Sequence, residues 1–199
     1  MNIAKELQRA LELHQAGRLA EAGAIYRDIL KADPDNVDAL NLMGVLLQSG
    51  GQLSTAISLL EKATQIAPDY LAAWVNLGNA LQLVGKLEGA VDAFQKAMTL
   101  NPRQPEPANN LASALNQLKR HGEAIDACVM ALKARPDFAE AHINMGNALV
   151  GLKKPQEAEK SFRAALALDP GLSLAYFNLG NALTDQGRLE DALDAYRES

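Results

Sequence analysis

Five prolines, Pro34, Pro68, Pro102, Pro136 and Pro170, stand 34 residues apart. Proline has no N–H to donate and clashes with the preceding helical turn, so each one ends a helix. A stop at constant interval divides the chain into copies of one short unit that buries its apolar face by stacking on its neighbours. The same interval governs a six-letter string: NLGNAL runs from Asn76 to Leu81 and again from Asn178 to Leu183, with NMGNAL from Asn144 to Leu149. Counting back from the prolines gives repeats 3–36, 37–70, 71–104, 105–138 and 139–172, then an incomplete sixth, 173–199.

Within each repeat the apolar residues recur at helical spacing in two segments, separated by a turn that usually carries glycine: Gly17, Gly51, Gly85 and Gly187. The repeat therefore reads as a helix hairpin. Its eighth place holds Ala10, Gly44, Gly78, Ala112, Gly146 and Gly180, and its twentieth is alanine throughout: Ala22, Ala56, Ala90, Ala124, Ala158 and Ala192. Small residues at these places let two helices cross closely, and a larger side chain there is expected to cost about 1–3 kcal/mol by overpacking. Larger residues fill what remains, with Trp74 and Tyr176 at place 4, Leu77, Leu111 and Leu179 at place 7, and Tyr26, Phe94, Phe162 and Tyr196 at place 24. Aromatics make up only 5% of a chain that is 48% hydrophobic, as expected where alanine and leucine pack helices closely.

A small residue at place 8, alanine at 20, an aromatic at 24 and proline at 32 together resemble the tetratricopeptide repeat family. That resemblance implies an all-α, right-handed superhelical solenoid of antiparallel hairpins with a concave inner face, spanning residues 1–199 as one array. Departures are local. Pro105 and Pro107 open the fourth repeat and predict a helix that begins late, and Cys128 replaces the aromatic of place 24. Arg9 stands where other repeats bury Leu or Met, which fits an end repeat. Ser199 falls at place 27, a turn before the last helix would close, so the array is expected either to continue or to pack its uncapped C-terminal hairpin on another molecule.

The first helix has a second, polar stripe. At about 100° per residue, places 4, 7, 8 and 11 share the core side, and places 2, 6, 9 and 13 lie opposite. Place 6 carries Asn76, Asn110, Asn144 and Asn178; place 9 carries Asn79, Asn147 and Asn181, with Ser113 in the fourth repeat. Asparagine is a poor mid-helix residue, so the row needs a compensating role. A carboxamide complements the N–H and C=O of a peptide bond, and a row of them could hold an extended chain by its main-chain groups. At about 0.5–1.5 kcal/mol per bond, the expected affinity is micromolar at best. Equally, the amides could bond to one another or to neighbouring helices and tie the stack together. The row resembles that of the repeat region of O-linked N-acetylglucosamine transferases, which implies contact with substrate main chain at Asn76, Asn110, Asn144 and Asn178. The second repeat departs, with Leu42 at place 6 and Asn41 one residue earlier.

Other function classes fit less well. The lysine and arginine clamp by which chaperone-binding members of the family hold a carboxylate is absent: place 2 holds Asp38, Glu106 and Glu140, and place 5 holds Asn41, Val75, Asn109, Ile143 and Phe177. Carboxylates at place 2 favour a neutral to basic, partly apolar partner, with Val75, Ile143 and Phe177 as candidate side-chain pockets. His14, His121 and His142 are scattered, no metal-ligand spacing occurs, and Cys128 has no histidine near it in sequence, so no catalysis, metal or cofactor is expected. A formal charge of −5 offers no basic field for nucleic acid or an anionic membrane. With one cysteine and no long apolar segment the chain reads as cytoplasmic. The expectation is a non-catalytic scaffold that binds protein or peptide. Alternatives are the substrate-recognition part of a larger glycosyltransferase-like enzyme, or a self-association scaffold with structural asparagines.

Overall fold

The computed structural model describes residues 2–199. Twelve α-helices and no strand occur among them. In order they are α1 (Ile3–Gln15), α2 (Leu19–Ala32), α3 (Val37–Ser49), α4 (Leu53–Ile66), α5 (Leu71–Leu83), α6 (Leu87–Leu100), α7 (Pro105–Gln117), α8 (His121–Ala134), α9 (Ala139–Gly151), α10 (Pro155–Leu168), α11 (Ser173–Asp185) and α12 (Leu189–Arg197). Every first helix opens on the first place of a repeat, so the hairpins coincide with the period. Packing groups them into two compact halves, Met1–Leu100 and Asn101–Ser199, with three hairpins in each.

Each hairpin turns through one residue with positive φ. Gly17, Gly51, Gly85 and Gly187 adopt φ of 75–77°, while Lys119 and Lys153 take the same position at 60° and 59° in hairpins four and five. The following N–H closes the turn on the first helix, as from Arg18 to the Leu13 carbonyl and from Arg120 to the Leu115 carbonyl. Helix α7 does not begin late. Pro105 and Pro107 lie in its first turn, where backbone N–H groups have no intrahelical acceptor to lose, so the helix starts in phase with the others.

In the N-terminal half α1 touches α3 and α3 touches α5; in the C-terminal half α7 touches α9 and α9 touches α11. Second helices of successive hairpins make no such contact within either half, among the described residues. The first helices therefore form the more closely spaced, inner layer of each half. The place-20 alanines are all buried, as are Tyr26, Leu60, Phe94, Cys128 and Phe162 at place 24. A Cβ added to Gly44 would come within 2.7 Å of Leu60, and one added to Gly78 within 2.5 Å of Phe94. Gly146 and Gly180 oppose Phe162 and Tyr196 in the same way. In hairpin four Ala112 replaces the glycine and Cys128 the ring, so a larger residue on one helix meets a smaller one on the other. Hairpin one alone keeps a full ring, Tyr26, with an alanine, Ala10, at place 8.

Candidate functional site

The asparagines lie off the core on the inner layer, and the structure couples them across hairpins. Asn76 Nδ2 donates to Asn41 Oδ1 at 2.8 Å, joining α5 to α3 in the N-terminal half. In the C-terminal half Asn144 Nδ2 donates to Asn109 Oδ1 at 2.8 Å, joining α9 to α7. Asn178 Nδ2 donates to Asn147 Oδ1 at 3.0 Å, joining α11 to α9. Asn116 adds a further tie, its Nδ2 donating to the Asn144 carbonyl at 2.8 Å. Asn181 Oδ1 accepts from the Tyr196 hydroxyl at 2.8 Å within hairpin six. Asn79 and Asn110 are each engaged as well.

Asn41 and Asn109, at place 5, are acceptors to which the sequence pattern assigned no such role. Both are buried, at 4% and 9% exposure. Their signal was the spacing: each precedes the place-6 asparagine of the next repeat by 35 residues. Where place 5 is apolar, as at Ile143, the next asparagine, Asn178, turns to place 9 and finds Asn147. A half-buried amide facing a buried one needs its N–H bonded, which is why these pairs recur.

The pairing also leaves something over. Asn76, Asn144 and Asn178 each give an N–H to a neighbouring amide, and the Oδ1 atoms of these three make no hydrogen bond among the described residues. These three side chains are half-buried and held in one orientation by the bond they do make.

The charge and pocket expectations change. Asp38 accepts from the Tyr70 hydroxyl at 2.9 Å. Burial, then this bond to a carboxylate, push the Tyr70 phenol up to about 12. Glu106 pairs with Arg135 at 3.0 Å, and the Arg135 guanidinium also stacks 3.7 Å above the Phe138 ring. Two of the three place-2 carboxylates are thus committed internally, whereas Glu140 is exposed. Ile143 is no pocket wall, being 7% exposed in the core with Leu149, Phe162 and Leu179. Val75 is half-buried, whereas Phe177 is exposed, its ring 5.9 Å from that of Tyr196.

Cys128 is buried, and burial pushes its thiol up to about 12, which suits a packing residue and not a nucleophile. No group of three or more His, Cys, Asp or Glu side chains suited to a metal occurs among the described residues. No helix there is long and apolar enough to cross a membrane.

Close-packed helix hairpins at a constant period define the class of helical-repeat solenoids. The chain belongs to the tetratricopeptide repeat family: sequence models of that repeat match residues 7–70 and 143–199, and a further one residues 71–104. The stretch between these matches contains hairpin four, where the departures from the pattern gather. No curated protein sequence matches the chain. Among solved structures it is similar to MamA of AMB-1, at 28% identity and TM-score 0.75, over 83% of this chain and 98% of that one. Pseudomonas aeruginosa PilF superposes with TM-score 0.82 at 18% identity, over 97% and 88% of the two chains. YrrB, described as a TPR protein with an unusual peptide-binding site, gives TM-score 0.68 at 21% identity, over 87% and 89%. The narrower resemblance to transferase repeat regions is not shown by these matches.

Proposed function

We propose that this protein is a scaffold whose inner helix layer holds an extended segment of a partner polypeptide by its main chain. The residues assigned to this role are Asn110, Asn144, Asn147, Asn178 and Asn181 in the C-terminal half, with Asn76 and Asn79 as a shorter counterpart in the N-terminal half. One observation carries the reading: Asn76, Asn144 and Asn178 are each oriented by donating to a neighbouring amide, and the Oδ1 atoms of these three remain available to accept a peptide N–H. The structural and ligand-binding roles of the asparagines are therefore compatible, since a single carboxamide has two N–H donors and an oxygen acceptor. Pre-orientation lowers the entropy lost on binding, and about 0.5–1.5 kcal/mol per bond still implies weak, sequence-tolerant binding. YrrB, of like fold, is a peptide binder by its description, which accords with this reading without extending to these residues.

The unbroken period supports treating residues 1–199 as one array. Self-association with purely structural asparagines is the competing reading, and the amide pairs themselves favour it. Converting Asn110, Asn144 and Asn178 together to Ala separates the two. The proposal expects capture of labelled unfolded peptides to be lost, at a fall in Tm of a few degrees. Peptide capture that survives these substitutions would overturn it, as would a collapse of the fold with no peptide ever bound by the parent protein.

A further inference from the structure

Hairpin four and the loop before it depart from the repeat at three places, two of which, Met130 and Arg103, line one hollow. Places 25 and 26 are Arg27 and Asp28, Glu61 and Lys62, Gln95 and Lys96, Arg163 and Ala164, and Arg197 and Glu198 in the other hairpins, but Val129 and Met130 here. These two are 51% and 48% exposed on α8. Place 33 is aspartate in hairpins one, two and four, as Asp35, Asp69 and Asp137, yet hairpin three ends on Arg103.

Hairpin two shows what the usual residues do. Lys62 reaches back to the loop before its own first helix, donating to the Pro34 carbonyl at 2.7 Å and pairing with Asp35 at 2.9 Å. The corresponding loop before α7 offers Pro102 and Arg103, and Met130 stands where Lys62 would. That internal ion pair is thus replaced by a thioether beside an uncompensated guanidinium. Pro102, Arg103, Met130, Lys133 and Ala134 line a hollow of about 500 Å³. Arg103 and Lys133 are exposed and meet no carboxylate among the described residues. Asp126, one turn earlier on α8, is the acidic side chain of that helix face nearest in sequence.

We infer that this hollow is a docking site for an acidic segment of a partner protein, one that seats an aliphatic or aromatic side chain against Met130, beside the exposed Val129, and sets flanking carboxylates on Arg103 and Lys133. The choice of occupant follows from charge: two cations that pair with no carboxylate, on a chain of net charge −5, line the hollow with Met130. Neither element has a counterpart in hairpin two, whose Lys62 and Asp35 satisfy each other. The site lies on the second helix of hairpin four and the loop before its first helix, apart from the asparagine row.

The test uses the whole chain and two synthetic nonapeptides, each with a central Leu-Phe pair, one flanked by glutamates and the other by lysines. In nitrogen-15 correlation spectra the acidic peptide is expected to shift the amides of residues 103 and 129–134, and the basic one to leave them in place. Val129→Gln with Met130→Lys, which restores the pair found in hairpin three, is expected to weaken binding at least about tenfold. Arg103→Asp, which restores the residue of repeats one, two and four, should do the same and remove most of the salt dependence. All three changes are on the surface, and an unchanged Tm checks the fold. Asn144→Ala with Asn178→Ala should leave this binding untouched, so failure here and failure of the asparagine reading are separable. The inference is overturned if the acidic peptide shifts nothing at roughly 1 mM, a ceiling set by weak single-site affinities, or if the basic peptide binds equally. Undiminished binding by Val129→Gln with Met130→Lys overturns it too. So does a self-associated state in sedimentation velocity that these same substitutions dissolve, which would make a second copy the occupant.

Discussion

Gly78 on α5 lies so close to Phe94 on α6 that a Cβ on the glycine would sit 2.5 Å from the ring. The ring is fully buried among Ala90, Val91 and Ala97 of its own helix face, so it cannot yield freely. Gly78→Ala is expected to destabilise the protein by about 2–3 kcal/mol, measured by urea unfolding. Adding Phe94→Cys, which reproduces the Ala112 and Cys128 combination of hairpin four, should recover part of that loss. Additive losses in the double variant would show that the two places do not compensate.

Tyr26 carries a buried hydroxyl with no hydrogen-bond partner among the described residues. Hairpins three and five place phenylalanine at the equivalent position. Tyr26→Phe is expected to raise stability by about 1 kcal/mol, because it removes an unsatisfied buried polar group and keeps the packing. A lower Tm in calorimetry would contradict this.

Lys119 and Lys153 occupy the left-handed turn that glycine fills elsewhere, at φ of 60° and 59°. An L-residue there is strained by about 1–2 kcal/mol, part of which glycine loses again through the entropy of the unfolded chain. Lys119→Gly and Lys153→Gly should each stabilise by roughly 0.5–1 kcal/mol, additively because the sites are far apart in sequence and share no partner. Thermal unfolding of the two single variants and the double variant checks both magnitude and additivity.

The Asn41 and Asn76 pair can be isolated by a double-mutant cycle. Asn41→Ala leaves the Asn76 N–H without its acceptor, and a coupling energy of about 0.5–1.5 kcal/mol is expected from denaturation of the four proteins. A coupling near zero would mean that solvent replaces the bond, and the amide rows would lose their part in joining hairpins.

Alkaline pH should loosen the fold. Burial raises Cys128 to about 12, and burial with the Asp38 bond raises Tyr70 to about 12. A group whose pKa is raised on folding contributes stability that is whole below its unfolded pKa and is lost as pH rises toward the folded one. Stability is therefore expected to decline from about pH 9 to 12, the interval between the ordinary thiol range and the folded value. At pH 8 the Cys128 thiol should react with a disulfide reagent only as fast as the protein opens. Fast labelling of folded protein would place that side chain outside the core.

The hairpins, their boundaries and their small-residue crossings could be read from the chain because each is a local regularity repeated at constant interval. Proline stops, turn glycines and invariant alanines act within one repeat or between adjacent ones, and the physics of a single copy applies to all. Even the exceptions of hairpin four were visible, although the effect of Pro105 was misjudged because a first-turn proline removes no helical bond. Which amide meets which was not legible. Asn41 and Asn109 carry the same side chain as Asn76 and Asn144, and only the packing of one first helix on the next decides that the former are buried acceptors and the latter half-buried donors. Charge went the same way: Asp38 and Glu106 looked like free carboxylates until Tyr70 and Arg135, more than a helix away in sequence, were brought against them. Periodicity carries what one helix does to its own hairpin, while the direction of a hydrogen bond or ion pair between hairpins depends on interatomic distances that exist only after the chain has stacked.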